Sequence, residues 1–246
     1  MSARRVALVT GGTGAIGTEI CRHLHDAGCT IAALGHPSEA ARIPQWQQQF
    51  GFDATVELCD LGDFAAAGGA IRAIEAKLGP IDILVNAAGI TRDARLVKMT
   101  PEQWNQVIGA NLDSVFNATK HVFEGMCTRG FGRIVNISSV NGQKGQFGQA
   151  NYSAAKAGMH GFTMAVAQEC ASKGVTVNTV SPGYVETPMT AAIKPEALAK
   201  IVATIPAGRM AQPADIARAV AFLCAEDAGY ITGANLAVNG GLYMGA

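Results

Sequence analysis

RVALVTGGTGAIG, residues 5–17, runs from an apolar stretch through a cluster of glycines into a helical pattern continued by Ile20, Cys21 and Leu24. An apolar run ending at Thr10 predicts a buried strand, and the spacing after Gly17 predicts a helix. Gly12, Gly14 and Gly17 fit G-x-G-x-x-G directly after that strand. Missing side chains there let the backbone approach a pyrophosphate, while the helix N-terminus supplies N–H donors and a positive dipole end. Strand, glycine loop and helix together predict a dinucleotide site at the start of an α/β sheet.

The rest of the chain repeats the alternation. Thr30 to Leu34 predicts a second strand, followed by Gly35-His36 and a loop that holds Glu39 and Arg42. A carboxylate at this point reads ribose hydroxyls and repels a 2′-phosphate, whereas a cation accepts one, so the signal is split between NADH and NADPH and leans to NADH. Val56 to Leu58 predicts a third strand ending at Cys59-Asp60-Leu61, where Asp60 could reach an adenine amino group. A helix over about 64–78 stops at Gly79-Pro80, and Ile81 to Val85 predicts a strand flowing into Asn86-Ala87-Ala88-Gly89. Thr100 and Pro101 start a long helix over about 101–128. Asn111 lies in its interior, where Asn is a poor helix former, and is either a structural clamp or a water holder.

Arg133 to Ile137 predicts the strand that delivers Ser138 and Ser139, and a further helix begins at Tyr152. Its stripe of Ala155, Met159, Phe162, Val166 and Ala167 is core or a subunit face. A strand over 175–180 leads to Ser181-Pro182-Gly183 and Thr187-Pro188. A helical lid over about 195–205, a helix over about 213–223 and a last strand Asn235 to Val238 follow. The architecture expected is α/β: one Rossmann-type domain over residues 1–246, a doubly wound parallel sheet of about seven strands. Ligands bind such sheets at the carboxyl ends of the strands.

SVNGQKGQFGQANYSAAK, residues 139–156, falls at that edge. Tyr152 and Lys156, four apart, share one side of a helix. At ~4 Å and an effective dielectric of ~20, their Coulomb interaction is about 4 kcal/mol, enough to pull a phenol pKa of ~10 down by as much as ~3 units. Tyr152 is therefore expected as a proton donor tuned toward working pH.

Composition narrows the partners. Across 246 residues, 49% are apolar and 15% charged, and 19 Lys+Arg balance 19 Asp+Glu, so no net field attracts nucleic acid or an anionic membrane. Cys21, Cys29, Cys59, Cys127, Cys170 and Cys224 form no CxxC pair, which argues against a zinc site or disulfide framework and for buried thiols in a reducing compartment. Only four apolar residues, Val6 to Val9, follow Arg4-Arg5, too few for a signal peptide or membrane span. A cytoplasmic enzyme with a small-molecule pocket and no metal is expected. No G-x-S-x-G or HExxH is present to suggest a serine hydrolase or zinc peptidase.

The motifs Thr10 to Gly17, Asn86 to Gly89, Asn111, Ser139, Tyr152, Lys156 and Pro182-Gly183 together resemble the short-chain dehydrogenase/reductase family over nearly the whole chain. Ala15 departs from a glycine that many members have. The resemblance implies that Tyr152 protonates a carbonyl oxygen and that Ser139 hydrogen-bonds the developing oxyanion. It further implies that Lys156 binds nicotinamide ribose hydroxyls and lowers the Tyr152 pKa, and that Asn111 holds a relay water. A dinucleotide is then expected on Gly11, Gly12, Thr13, Gly14, Ile16 and Gly17; on Gly35, Glu39 and Arg42; on Asp60 and Leu61; on Asn86, Ala87 and Gly89; on Tyr152 and Lys156; and on Pro182, Gly183, Val185 and Thr187.

Within the family, the runs over 138–158, 89–93 and 177–184 resemble the acetoacetyl-CoA reductases of polyhydroxybutyrate synthesis, which implies reduction of a 3-oxoacyl-CoA to the (R)-3-hydroxyacyl-CoA. The run over 89–93 is shared with 3-oxoacyl-[acyl-carrier-protein] reductases, the alternative reading, which would need a basic docking surface around Arg129 and Lys173. Expected substrate contacts are Asp93, Lys98, Gln146, Phe147, Gln149 and Tyr184. The resemblance also suggests a homotetramer.

Overall fold

A computed structural model describes residues 4–191 and 194–245, apart from the Met189 side chain. Seven strands form one sheet: β1 (Val6–Thr10), β2 (Thr30–Gly35), β3 (Ala54–Leu58), β4 (Ile81–Asn86), β5 (Gly132–Ile137), β6 (Val175–Pro182) and β7 (Asn235–Val238). Their order is β3-β2-β1-β4-β5-β6-β7, with every pair parallel. The chain therefore reverses its direction of growth between β1 and β4, and a crevice opens at the carboxyl ends of those strands.

Strand periodicity sorts the core into two layers. Ala7 and Val9 of β1, with Ile31, Ala33, Ile83 and Val85, face Ile20 and Leu24 of α1 (Ala15–Asp26), Trp46 and Phe50 of α2 (Ile43–Phe50) and the apolar side of Pro213–Cys224. Val6 and Leu8, with Ala32, Leu34, Leu84 and Ile134, point the other way. They pack on Ile71 and Ile74 of α3 (Phe64–Leu78) and, beyond α4 (Pro101–Ile108), on Val122 and Met126 of α5 (Ser114–Arg129).

Between α4 and α5 the chain makes one π-helical turn, Gly109–Asp113, so the single helix expected over about 101–128 is two helices joined by a bulge. The wider turn carries Asn111, fully buried. Such π turns free backbone and side-chain geometry that a regular helix cannot supply.

The remaining helices are α6 (Val140–Lys144), α7 (Ala150–Cys170), α8 (Pro188–Ala191), α9 (Pro195–Ala203) and α10 (Pro213–Cys224). The stripe on α7 divides: Ala155, Met159 and Ala167 are core, whereas Phe162 and Val166 are only partly covered. No helix among the described residues is long and apolar enough to cross a membrane.

At the carboxyl edge, register aligns polar residues across four strands: Thr10 with Asn86, Asn86 with Asn136, and Asn136 with Thr179. Asn86 Nδ2 donates to Asn136 Oδ1 at 2.8 Å, Asn136 Nδ2 to Thr163 Oγ1 at 2.8 Å, and Thr179 Oγ1 to Thr163 Oγ1 at 2.9 Å. Buried polar groups of this kind hold register because any slip leaves them unpaired. The edge is thereby fixed for the loops that leave it.

Candidate active site

The glycine loop splits its work between binding and packing. Gly11 has φ 62° and faces an open groove of about 240 Å³, which Gly14 also lines. A methyl on Gly11 would come within 2.9 Å of Ala88 Cα. Gly12 and Gly17, by contrast, are buried: a Cβ on Gly12 would meet Ala33 Cβ at 2.7 Å, and one on Gly17 would run into the Gly11 carbonyl. They bring α1 onto the sheet and do not line the groove. Gly14 caps α1 without a side chain, so the first-turn N–H groups stay open toward an anion. Ala15 takes the first helical position, partly exposed, where its methyl is accommodated.

The groove continues along Gly35, His36 and Glu39, then Cys59, Asp60, Leu61 and Gly62, and closes on Ala87, Ala88, Gly89, Ile90 and Ala110. Of the residues expected to hold a dinucleotide, Gly11, Gly14, Gly35, Glu39, Asp60, Leu61, Ala87 and Gly89 are brought together here. Thr13, Ile16, Arg42, Asn86, Pro182, Gly183, Val185 and Thr187 do not line it. Thr13 and Asn86 are buried in supporting bonds, and Thr187 is engaged with Thr190. His36, Gly62, Ile90 and Ala110 were not expected. His36, Gly62 and Ile90 follow the ends of β2, β3 and β4, so the position of those ends was the available signal, whereas Ala110 comes from the π turn.

Glu39 is held firmly. Its Oε2 accepts from Thr13 Oγ1 at 2.6 Å and from the His36 N–H at 3.3 Å, and its Oε1 accepts from Arg42 Nη2 at 2.5 Å. The loop expected after β2 is a 3₁₀ turn, Pro37–Arg42, in which Glu39 completes a capping box. Glu39 and Arg42, read from sequence as rivals, are thus one ion pair with the carboxylate facing the groove.

Beyond Gly89 lies the second half of the site. Lys156 is buried on α7, and its Nζ donates to the Ile137 carbonyl at 2.8 Å and sits 5.5 Å from the Tyr152 ring centre. Burial lowers the Lys156 pKa to about 7. Asn111 Nδ2 donates to the carbonyls of Ile90 (2.9 Å) and Val107 (2.8 Å), while its buried Oδ1 has no partner among the described residues. That orphan acceptor faces the same space as Lys156: a Cβ built on Gly89 would clash with Asn111 Oδ1 and lie 3.5 Å from Lys156 Nζ. The two groups are placed to share a bridging molecule such as water.

Ser139 is the N-cap of α6, a short helix absent from the sequence reading. Its Oγ accepts from the Asn141 N–H at 3.1 Å, which leaves its own hydrogen to donate. Tyr152 departs from expectation. Burial raises its pKa, the Ser139 hydroxyl pulls it down, and the Asp93 charge raises it. The expected depression by Lys156 is not found, and burial drives that ammonium itself toward neutrality. In the protein alone the phenol holds its proton.

The expected substrate contacts separate into groups. Gln149 Nε2 donates to Asp93 Oδ2 at 2.9 Å, and Gln149 Oε1 accepts from Asn141 Nδ2 at 2.9 Å, joining both to α6 beside Ser139. Gln146 bonds Lys144, Phe147 is 83% exposed, and Lys98 lies on an exposed turn. Tyr184 lines a different cavity, of about 220 Å³, with Ile205, Arg209, Val238 and Asn239.

The orphan Asn111 oxygen, the glycine cradle and the open helix N-terminus fit a nicotinamide dinucleotide. Among the described residues no cluster of His, Cys, Asp or Glu suits a metal ion.

The chain is similar to known proteins over nearly its whole length. A family model described as enoyl-(acyl carrier protein) reductase matches residues 12–243. The chain is 60% identical to an acetoacetyl-CoA reductase of Allochromatium vinosum over 98% of this chain and 99% of that one. It is 52% identical to an acetoacetyl-CoA reductase of Cupriavidus necator over 98% and 99%. A 3-oxoacyl-[acyl-carrier-protein] reductase of Vibrio harveyi is 43% identical over 98% of each. The chain belongs to the short-chain dehydrogenase/reductase family of oxidoreductases.

Proposed function

We propose that this protein reduces acetoacetyl-CoA, and 3-oxoacyl-CoA thioesters like it, to the (R)-3-hydroxyacyl-CoA, as in polyhydroxybutyrate synthesis. The observation that carries the chemistry is the meeting of Tyr152, a buried Lys156 and a Ser139 hydroxyl with a free hydrogen beside the groove. The relatives' names carry the substrate.

A bound nicotinamide supplies the hydride to the 3-oxo carbon. Tyr152 gives its proton to the carbonyl oxygen, and Ser139 donates a hydrogen bond to that oxygen as negative charge builds, a contribution of ~3 kcal/mol or more. Lys156 holds ribose hydroxyls beside Tyr152. Asn111 Oδ1 anchors the water through which Lys156 restores the proton. Gly11 and Gly14 take the pyrophosphate, and Glu39 the adenosine ribose.

Because Glu39 presents a carboxylate to the groove, we assign NADH as the preferred reductant. Asp93 and Gln149 border the thioester, with Lys98, Gln146 and Phe147 further along its path. Exposed Trp104, Phe116 and Met164, on α4, α5 and α7, supply apolar faces for a homotetramer. Six free thiols suit the cytoplasm.

The carrier-protein reading has less support. Arg129, one of the two cations it needs, donates to the Ile81 carbonyl at 2.5 Å and pairs with Asp82 at 3.7 Å. Initial rates on acetoacetyl-CoA and its carrier-protein thioester, each with NADH and NADPH, test the proposal. Acetoacetyl-CoA with NADH should be fastest. A strong preference for the carrier thioester would overturn the substrate, and a tenfold advantage for NADPH, ~1.4 kcal/mol, would overturn the cofactor.

A further inference from the structure

His160 lies one turn beyond Lys156 on α7, half-buried, with its ring against two strand ends. Its Nε2 is 2.9 Å from Ser138 Oγ at the end of β5 and 3.3 Å from Ser181 Oγ on β6. Both hydroxyls spend their single hydrogen elsewhere. Ser138 Oγ donates to the Lys156 carbonyl at 2.8 Å, and Ser181 Oγ donates to Asn235 Oδ1 at 2.7 Å on β7. Each therefore turns a lone pair to the ring, and Nε2 must carry the hydrogen. Burial lowers the His160 pKa, which keeps the ring in this neutral form near pH 7.

The consequence falls on Lys156. Its Nζ is tied to Ile137 O and its backbone carbonyl to Ser138 Oγ, so two successive residues of one strand end hold the lysine at both of its ends. The next residue is Ser139. Only the Ser138 bond depends on a hydroxyl rotor, and the His160 N–H fixes which way that rotor points.

We propose that His160 is a positioning residue: by fixing the Ser138 hydroxyl it locks the Lys156 turn of α7 onto the ends of β5 and β6, and so sets the Lys156 ammonium against Tyr152. This rests on the role given to Lys156 above. A misplacement of about 1 Å at such a group can cost on the order of 100-fold in rate.

The test is a double-mutant cycle on the full-length protein, with kcat, KM for both substrates and Tm measured for each variant. His160→Leu should lower kcat tenfold or more with KM for acetoacetyl-CoA within about twofold. His160→Gln, whose amide nitrogen reproduces Nε2–H, should restore most of it. Ser138→Ala should match His160→Leu, and the double variant should be no slower than either single one. Should His160→Leu fail to fold, Ser138→Ala and His160→Gln still decide the matter. Unchanged kcat in Ser138→Ala, no rescue by Gln, or additive losses would overturn the proposal. Lys156→Ala separates the two ideas: if it keeps full activity, the role of Lys156 fails, whereas an inactive Lys156→Ala beside a fully active His160→Leu fails the positioning role alone.

Discussion

Lys156 Nζ donates to the carbonyl oxygen of Ile137 at 2.8 Å in a buried setting, its one short hydrogen bond among the described residues. A single neutral acceptor does not repay the water lost by an ammonium, which is why its pKa falls to about 7 from 10.5. The group is held uncomfortable for a ligand to relieve.

That discomfort has a sign. With a folded pKa near 7 and an unfolded value near 10.5, the unfolded chain binds more protons between those values, so stability rises with pH across that window. Below it the full cost is present. Lys156→Met should therefore melt higher than wild type at pH 6, by on the order of 5 °C, with the gap narrowing as pH climbs toward 10. Melting curves across pH check it; a lower Tm at pH 6 would show that the lost bond to Ile137 outweighs desolvation.

Tyr152 gives a prediction of rate. Burial keeps its proton in place, so the reductive rate should hold through neutrality and fall only at the alkaline end, where the acid is lost. Tyr152→Phe should cut kcat by about 10²–10⁴ with Tm nearly unchanged, since only a hydroxyl is removed. A variant that keeps a tenth of the activity would move the proton donor elsewhere.

Glu39 gives a prediction of specificity. Glu39→Ala breaks the bonds to Thr13 and the His36 N–H and leaves Arg42 held only by Thr13, through its carbonyl at 3.2 Å and its Oγ1 at 3.3 Å. A 2′-phosphate then meets no carboxylate in the groove, and the guanidinium behind it is no longer neutralised. The ratio of kcat/KM for NADPH over NADH should rise at least tenfold, ~1.4 kcal/mol, in paired initial-rate measurements. An unmoved ratio would remove Glu39 from cofactor choice.

What was legible in the sequence is what periodicity and breakers encode. Helix α3 and strand β7 were expected at their observed bounds, because Gly79-Pro80 stops one and a short apolar run defines the other. Helix α2 gives little signal: its buried residues are only Trp46 and Phe50, among four glutamines, too sparse a stripe to stand out. The π turn leaves no pattern in side chains, and an awkward Asn111 was its one trace. Ser139 as an N-cap could have revealed α6. The Tyr152 pKa went astray because a pair four apart can be read from sequence but its burial cannot. His160 passed unnoticed since its partners, Ser138 and Ser181, meet it only through the sheet.

Gly89 carries the last prediction. It lines the groove where a side chain would strike Asn111 Oδ1 and come within 3.5 Å of Lys156 Nζ. Asn111 cannot retreat, because its Nδ2 is anchored on both Ile90 O and Val107 O and it is fully buried. Gly89→Ala should therefore fill the space proposed for the relay water. The variant should lose about 1–3 kcal/mol of stability from overpacking, a Tm lower by several degrees, and at least tenfold in kcat. Gly89→Ala combined with Asn111→Ala removes the clash and should recover Tm but not kcat, since the acceptor for the water is gone. Recovery of both would show that Asn111 serves only as a structural clamp.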